Sequence, residues 1–118
     1  MGNQIFSRKN FKIYHAGNSY IVHNSRKPFE QGHTHISDFN TAKYIVYLAI
    51  KKRVPKRFSK YLLGSLIRIS TDMRYIRKLQ AKISEVKSNG LQNSKELLRL
   101  QEDIYKEVWL QENWEEGN

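Results

Sequence analysis

The sequence predicts an α+β domain in which an N-terminal β-hairpin packs on a four-helix body. Three observations point there. β-prone residues flank a Gly-Asn turn between residues 11 and 23, apolar residues recur at helical spacing from residue 42 onward, and Pro55 and Asn89-Gly90 cut the helical region into segments. A chain of 118 residues is expected to form a single domain, 1–118, with one modest core. Residues 11–36 are its hairpin region, 37–70 a basic helical core, and 71–114 a helical hairpin arm.

The hairpin strands are Phe11–His15 and Tyr20–His23, around Ala16-Gly17-Asn18-Ser19, where Gly17 and Asn18 tolerate the positive φ that tight turns need. Phe11, Ile13 and His15 share one face of the first strand. On the second, Tyr20 and Val22 lie opposite Ile21 and His23. A two-stranded ribbon is marginal in water, so it is expected to pack on helices or to pair with a short third strand near Thr34–Ile36. A polar connection with Pro28 and Gly32 leads to Asp38 or Asn40, either of which can cap a first helix over 41–53. Its stripe is Ala42, Ile45, Val46, Ala49 and Ile50, and Pro55, lacking an N–H, stops it.

A second helix over 58–69 carries Phe58, Leu62, Leu63, Leu66, Ile67 and Ile69, apolar over more than half its circumference, and should be the buried central helix. Gly64 inside it costs about 1 kcal/mol relative to alanine, which predicts a close helix–helix approach. Ser70-Thr71-Asp72 caps a third helix over 72–88 with a narrow stripe of Met73, Ile76, Leu79 or Gln80, Ile83 and Val86. Asn89-Gly90 ends it. Asn93-Ser94-Lys95-Glu96 has the form of a capping box for a fourth helix over 94–112, which completes an antiparallel αα-hairpin with the third.

Charge bounds the function more tightly than composition does. The apolar fraction of 39% and the fourteen aromatic residues indicate a folded chain. With no cysteine there is no disulfide framework or thiolate metal site. The first residues lack a hydrophobic signal core and no apolar run reaches spanning length, so a cytoplasmic protein is expected. Net charge is +10, unevenly spread: residues 1–90 hold 18 Lys/Arg against 4 Asp/Glu, whereas residues 91–118 hold 3 against 7. Such a basic body attracts polyanions, of which nucleic acid is the commonest in a cytoplasm, ahead of acidic proteins and anionic lipid.

The densest cations are Lys51, Lys52, Arg53, Lys56, Arg57 and Lys60, six charges around a proline-stiffened turn between two helices. Arginine pairs with phosphate bidentately and lysine acts as a mobile point charge, so this cluster is the expected anion-binding site. The competing reading is a solvated loop. Arg68, Arg74, Arg77 and Lys78 extend the footprint, and Tyr44, Phe58 and Tyr61 are rings that could stack on bases, Phe58 fitting the core better. Arg74, Lys78 and Lys82 form an i, i+4, i+8 row of like charge, which Glu102, Asp103 and Glu107 of the expected fourth helix could neutralise. No helix-turn-helix, RNA-recognition or zinc-finger pattern is present, so sequence-specific readout is not indicated.

His33 and His35 face the same way in an extended segment, with His23 or His15 as a third candidate ligand, but hydrogen-bonding histidines at the hairpin–helix junction are the better reading of this pattern. The basic body contains four acids, Glu30, Asp38, Asp72 and Glu85, too few and too scattered to suggest a catalytic carboxylate pair. No enzyme activity, metal or cofactor is therefore expected. Tyr105, Trp109 and Trp114 are candidate anchors for a protein partner or for a homodimer through the C-terminal helices, with packing against the hairpin as the alternative.

At YIVHN, FEQGHTHISDFNTAKYIV, VPKRFSKYLLGSLIRIS and RYIRKL, covering about residues 11–80, the chain resembles small proteins carried by plasmids, prophages and integrative elements of low-GC Gram-positive bacteria. Type II-A anti-CRISPR proteins, which block the Cas9 nuclease, are among such proteins. The resemblance implies a non-enzymatic inhibitor that contacts Cas9 or its guide RNA and blocks their assembly or nucleic-acid binding. Two other functions are compatible with the sequence: a small dimeric DNA-binding transcriptional regulator, and a histidine-dependent nuclease.

Overall fold

The structure, a computed structural model, describes residues 2–55 and 58–89. It is α+β, but a sheet forms the foundation where a helical body was expected. Strands β1 (Asn3–Arg8), β2 (Phe11–Ala16), β3 (Ser19–Asn24) and β4 (His33–Ile36) make one antiparallel sheet in the order β1-β2-β3-β4. Helices α1 (Phe39–Lys51), α2 (Lys60–Ile69) and α3 (Met73–Asn89) follow. The four-helix body is thus overturned: the expected hairpin exists as β2 and β3, but it is the middle of a four-stranded meander, and three helices are seen among the described residues. The expected helix over 94–112, and with it the αα-hairpin, lies outside them.

Register explains which face packs. Ile13 pairs with Phe6 on one side and Val22 on the other, and Val22 pairs with Thr34, so these residues share a face. Ile13 and Val22 are fully buried with Ile45 and Val46 of α1 and with Leu63, Leu66 and Ile69 of α2. Each such side chain stabilises the fold by roughly 1.5–3 kcal/mol relative to exposure. Leu79 and Tyr75 attach α3 to the same core. The opposite face presents Lys12, Tyr14, Ile21, His23, His33 and His35, as strand alternation requires. Ile21, though buried, is not part of the helix-facing core.

The helix boundaries follow their caps. Asp38 accepts hydrogen bonds from the Thr41 amide and hydroxyl, starting α1 at Phe39. The helix ends at Lys51, before Pro55 can act, because Lys52 turns left-handed (φ 54°, ψ 47°) and returns its N–H to Leu48 O. Ser59 caps α2 through the Leu62 amide at 3.1 Å, leaving Phe58 outside the helix and partly buried against the core. Gly64 faces solvent, and a Cβ added there meets nothing within 4 Å, so the expected close helix contact is absent.

Tyr75, absent from the expected α3 stripe, is buried, whereas Met73, included in it, is 56% exposed. The Tyr75 hydroxyl is the reason: it lies 2.7 Å from Arg53 O and 3.3 Å from Leu48 O, joining α3 to the end of α1. No helix among the described residues is long and apolar enough to cross a membrane.

Candidate anion-binding cleft

A cleft of about 300 Å³ opens where the β1–β2 turn, the end of β3, the end of α1 and the α2–α3 connection meet. Among the described residues, four cations line it, Lys9, Arg26, Lys51 and Lys52, together with one carboxylate, Asp72. The convergence comes from the chain path. The β1–β2 turn has only Lys9 and Asn10 to reverse direction between the paired Arg8 and Phe11, and Lys9 does so at φ 54°. Lys52 is left-handed as the cap of α1. A non-glycine residue in that region carries about 1 kcal/mol of strain, and at these two positions both residues are lysines bordering the cleft.

Asn24 holds the floor. It is 1% exposed and its side chain donates to Ile69 O at 2.8 Å, while its oxygen accepts from Asn10 Nδ2 at 2.6 Å and from the Arg26 amide at 2.9 Å. One buried amide thereby fixes the turn bearing Lys9, the start of the loop bearing Arg26, and the end of α2. Burying an amide without those partners costs about 1–3 kcal/mol, which the three bonds avoid. Lys27 steers the same loop, donating to Arg68 O at 2.9 Å and Ser70 O at 3.3 Å, where a cation also complements the C-terminal end of α2.

Asp72 is mainly a structural acid. Its Oδ1 accepts from the Arg74 amide at 2.9 Å, and its Oδ2 lies 2.9 Å from Lys52 Nζ. The Lys52 hydrogen bond first, and then the Tyr75 and Arg74 amides, hold its carboxyl below the ordinary aspartate value. Among the described residues, the cleft is lined by four cations and one acid, the acid being paired with Lys52. Asn10 and Thr71 add uncharged donors at its walls.

The sequence cluster is divided by the fold. Lys51 and Lys52 enter the cleft, but Arg53 turns back and donates to Tyr47 Oη at 2.6 Å, its guanidinium 5.9 Å from the Tyr47 ring centroid. Lys60 is exposed at the start of α2. Arg68 donates Nε to His33 O at 2.7 Å and Nη2 to Glu30 O at 3.0 Å, binding the β3–β4 loop to α2. Arg74, Arg77 and Lys78 are exposed along α3, and Lys82 lies 3.4 Å from Glu85 in the same helix. Tyr44 is buried and unavailable for stacking, whereas Tyr61 is 88% exposed. Lys56, Arg57, Tyr105, Trp109 and Trp114, and the acids Glu102, Asp103 and Glu107, lie outside the described residues.

Lys9 and Arg26 were missed in the sequence because each stands in a turn far from the main cluster, and proximity arises only when the meander closes. A Lys-Asn pair between two β-prone runs was the available signal for the first turn.

His33 Nδ1 donates to Phe29 O, and His23 Nε2 donates to Lys27 O at 3.0 Å, so both rings make the backbone hydrogen bonds expected of junction histidines. Among the described residues, no three His, Asp or Glu side chains cluster as metal ligands. No protein-family model, curated protein or solved structure matches the chain.

Proposed function

We propose that the protein is a non-enzymatic binder of nucleic-acid phosphates, acting on a ribonucleoprotein, and that its target is a CRISPR–Cas9 nuclease or the guide RNA of one. The observation that carries the binding role is the cleft holding Lys9, Arg26, Lys51 and Lys52 with a single acid among the described residues. Its size and donors suit a phosphate group, and Lys9, exposed at the β1–β2 turn, supplies charge rather than packing. The resemblance to mobile-element proteins supplies the target class, and a basic surface suits contact with guide RNA.

The test combines a pull-down, with and without nuclease treatment, and a charge reversal. Lys9→Glu with Arg26→Glu, both exposed, should keep the fold and lose at least tenfold in RNA affinity and in inhibition of guided DNA cleavage. Unchanged affinity removes the cleft from the site. Capture of a protein partner that survives nuclease treatment, without inhibition by added RNA, replaces nucleic acid by a protein surface as the ligand.

A further inference from the structure

Strand register arranges the sheet face away from the described helices as two rows. Tyr14, Ile21 and His35 pair across β2, β3 and β4, and two residues along the strands Lys12, His23 and His33 do the same. Ile21 stands outside the helix-facing core yet is only 6% exposed, so the side chains around it on this face cover it. Tyr14, half-buried, and His35, exposed, flank that filled apolar position, roughly 10 Å apart by two strand spacings.

The rings at the β4 side are held in place. His23 donates Nε2 to Lys27 O at 3.0 Å, and His33 donates Nδ1 to Phe29 O. The Phe29 ring joins the two, stacked on His33 with centroids 4.2 Å apart and planes at 6°, and inclined to His23 at 5.3 Å. His35 meets His33 edge-on at 5.0 Å.

Charge decides what this surface draws. None of the four strands contains Asp or Glu, and Lys12 stands in the second row. The next pair beyond Lys12 and His23 is Phe11 with Asn24, both of which line the cationic cleft. A flat, acid-free surface of rings beside that cleft complements a polyanion with flat faces of its own. Unpaired nucleic acid is such a ligand, whereas a duplex keeps its base faces stacked.

We propose that this open face of the sheet is a base-stacking platform for single-stranded nucleic acid, Tyr14 and His35 receiving bases and Lys12 meeting the backbone. The proposal rests on the phosphate-binding reading of the cleft, which supplies the attraction that stacking alone lacks.

The deciding experiment titrates the full chain at about 50 mM salt with two labelled ten-residue strands, oligouridine and an abasic strand carrying the same phosphates. Anisotropy reads affinity and NMR reads the histidine ring protons. Oligouridine should bind about 10–100-fold more tightly. It should move the His35 ring signal upfield and leave that of His15, which pairs with Tyr20 on the helix side of the sheet, in place. His35→Ala and Tyr14→Ala should each bring oligouridine toward the abasic level without altering abasic binding, while Tyr14→Phe, which keeps the ring, should retain wild-type affinity. Equal affinity of the wild type for both strands, or an unmoved His35 signal, overturns the platform and leaves the phosphate reading intact. Binding of neither strand, the result expected if a protein or a second copy covers this face, overturns both.

Discussion

Single residues hold this molecule together at the point where α1, α3 and the cleft meet, and Tyr75 shows it best. Burial first, and then the neighbouring Tyr44, push its phenol above the ordinary tyrosine value. The folded protein therefore keeps the proton to higher pH than the unfolded chain does. Below pH 10, close to the unfolded value, both states are protonated and the Tyr75 contribution is complete. As pH rises further the unfolded chain ionises first, and stability falls by up to about 1.4 kcal/mol per pH unit for this one group. Tyr75→Phe should cost about 1 kcal/mol at pH 8 through the lost hydrogen bond, then close that gap between pH 10 and 11. Urea unfolding of both proteins across this range reads the difference; a constant gap refutes the assignment.

Elements show where local sequence decides structure and where it does not. Gly64 sits in α2 facing solvent, with nothing within 4 Å of an added Cβ, so helix propensity alone governs it. Gly64→Ala should stabilise the protein by about 1 kcal/mol, raising the thermal midpoint by several degrees, and calorimetry checks it. The central strands and all three described helices were legible from apolar spacing, and the starts of α1 and α3 also from their caps, Asp38 and Asp72, whereas the Ser59 cap that begins α2 at Lys60 was not read. β1 was not legible. NQIFSR is an edge strand with no fully buried residue, and its turn uses Lys9 where glycine is the usual signal for positive φ. The α3 face was misplaced for a different reason. Periodicity scores Met73 as apolar, but the hydroxyl of Tyr75 donates to carbonyls at the end of α1, Arg53 O and Leu48 O, and those bonds set the rotation of the helix. The candidate site was half legible, Lys51 and Lys52 by local charge density, Lys9 and Arg26 only through the fold.

At the scale of the whole molecule, helices cover one face of the sheet while four cations line the cleft at one end of it. Residues 1–90 carry 18 basic and 4 acidic side chains, and two of those acids, Asp38 and Asp72, accept hydrogen bonds at helix starts. Internal pairing within this part of the chain cannot cancel such an excess. The cleft supplies four cations, and each phosphate contact on a single strand contributes about 0.7 to the slope of log affinity against log salt. With Lys52 held by Asp72, three contacts predict a slope near −2.1, so raising salt from 50 to 200 mM should weaken single-strand binding about 20-fold. Lys9→Glu with Arg26→Glu should at least halve that slope, because it removes two of the three contacts. Anisotropy titrations at four salt concentrations measure both slopes, and a slope near zero in the wild type removes the cleft from phosphate binding altogether.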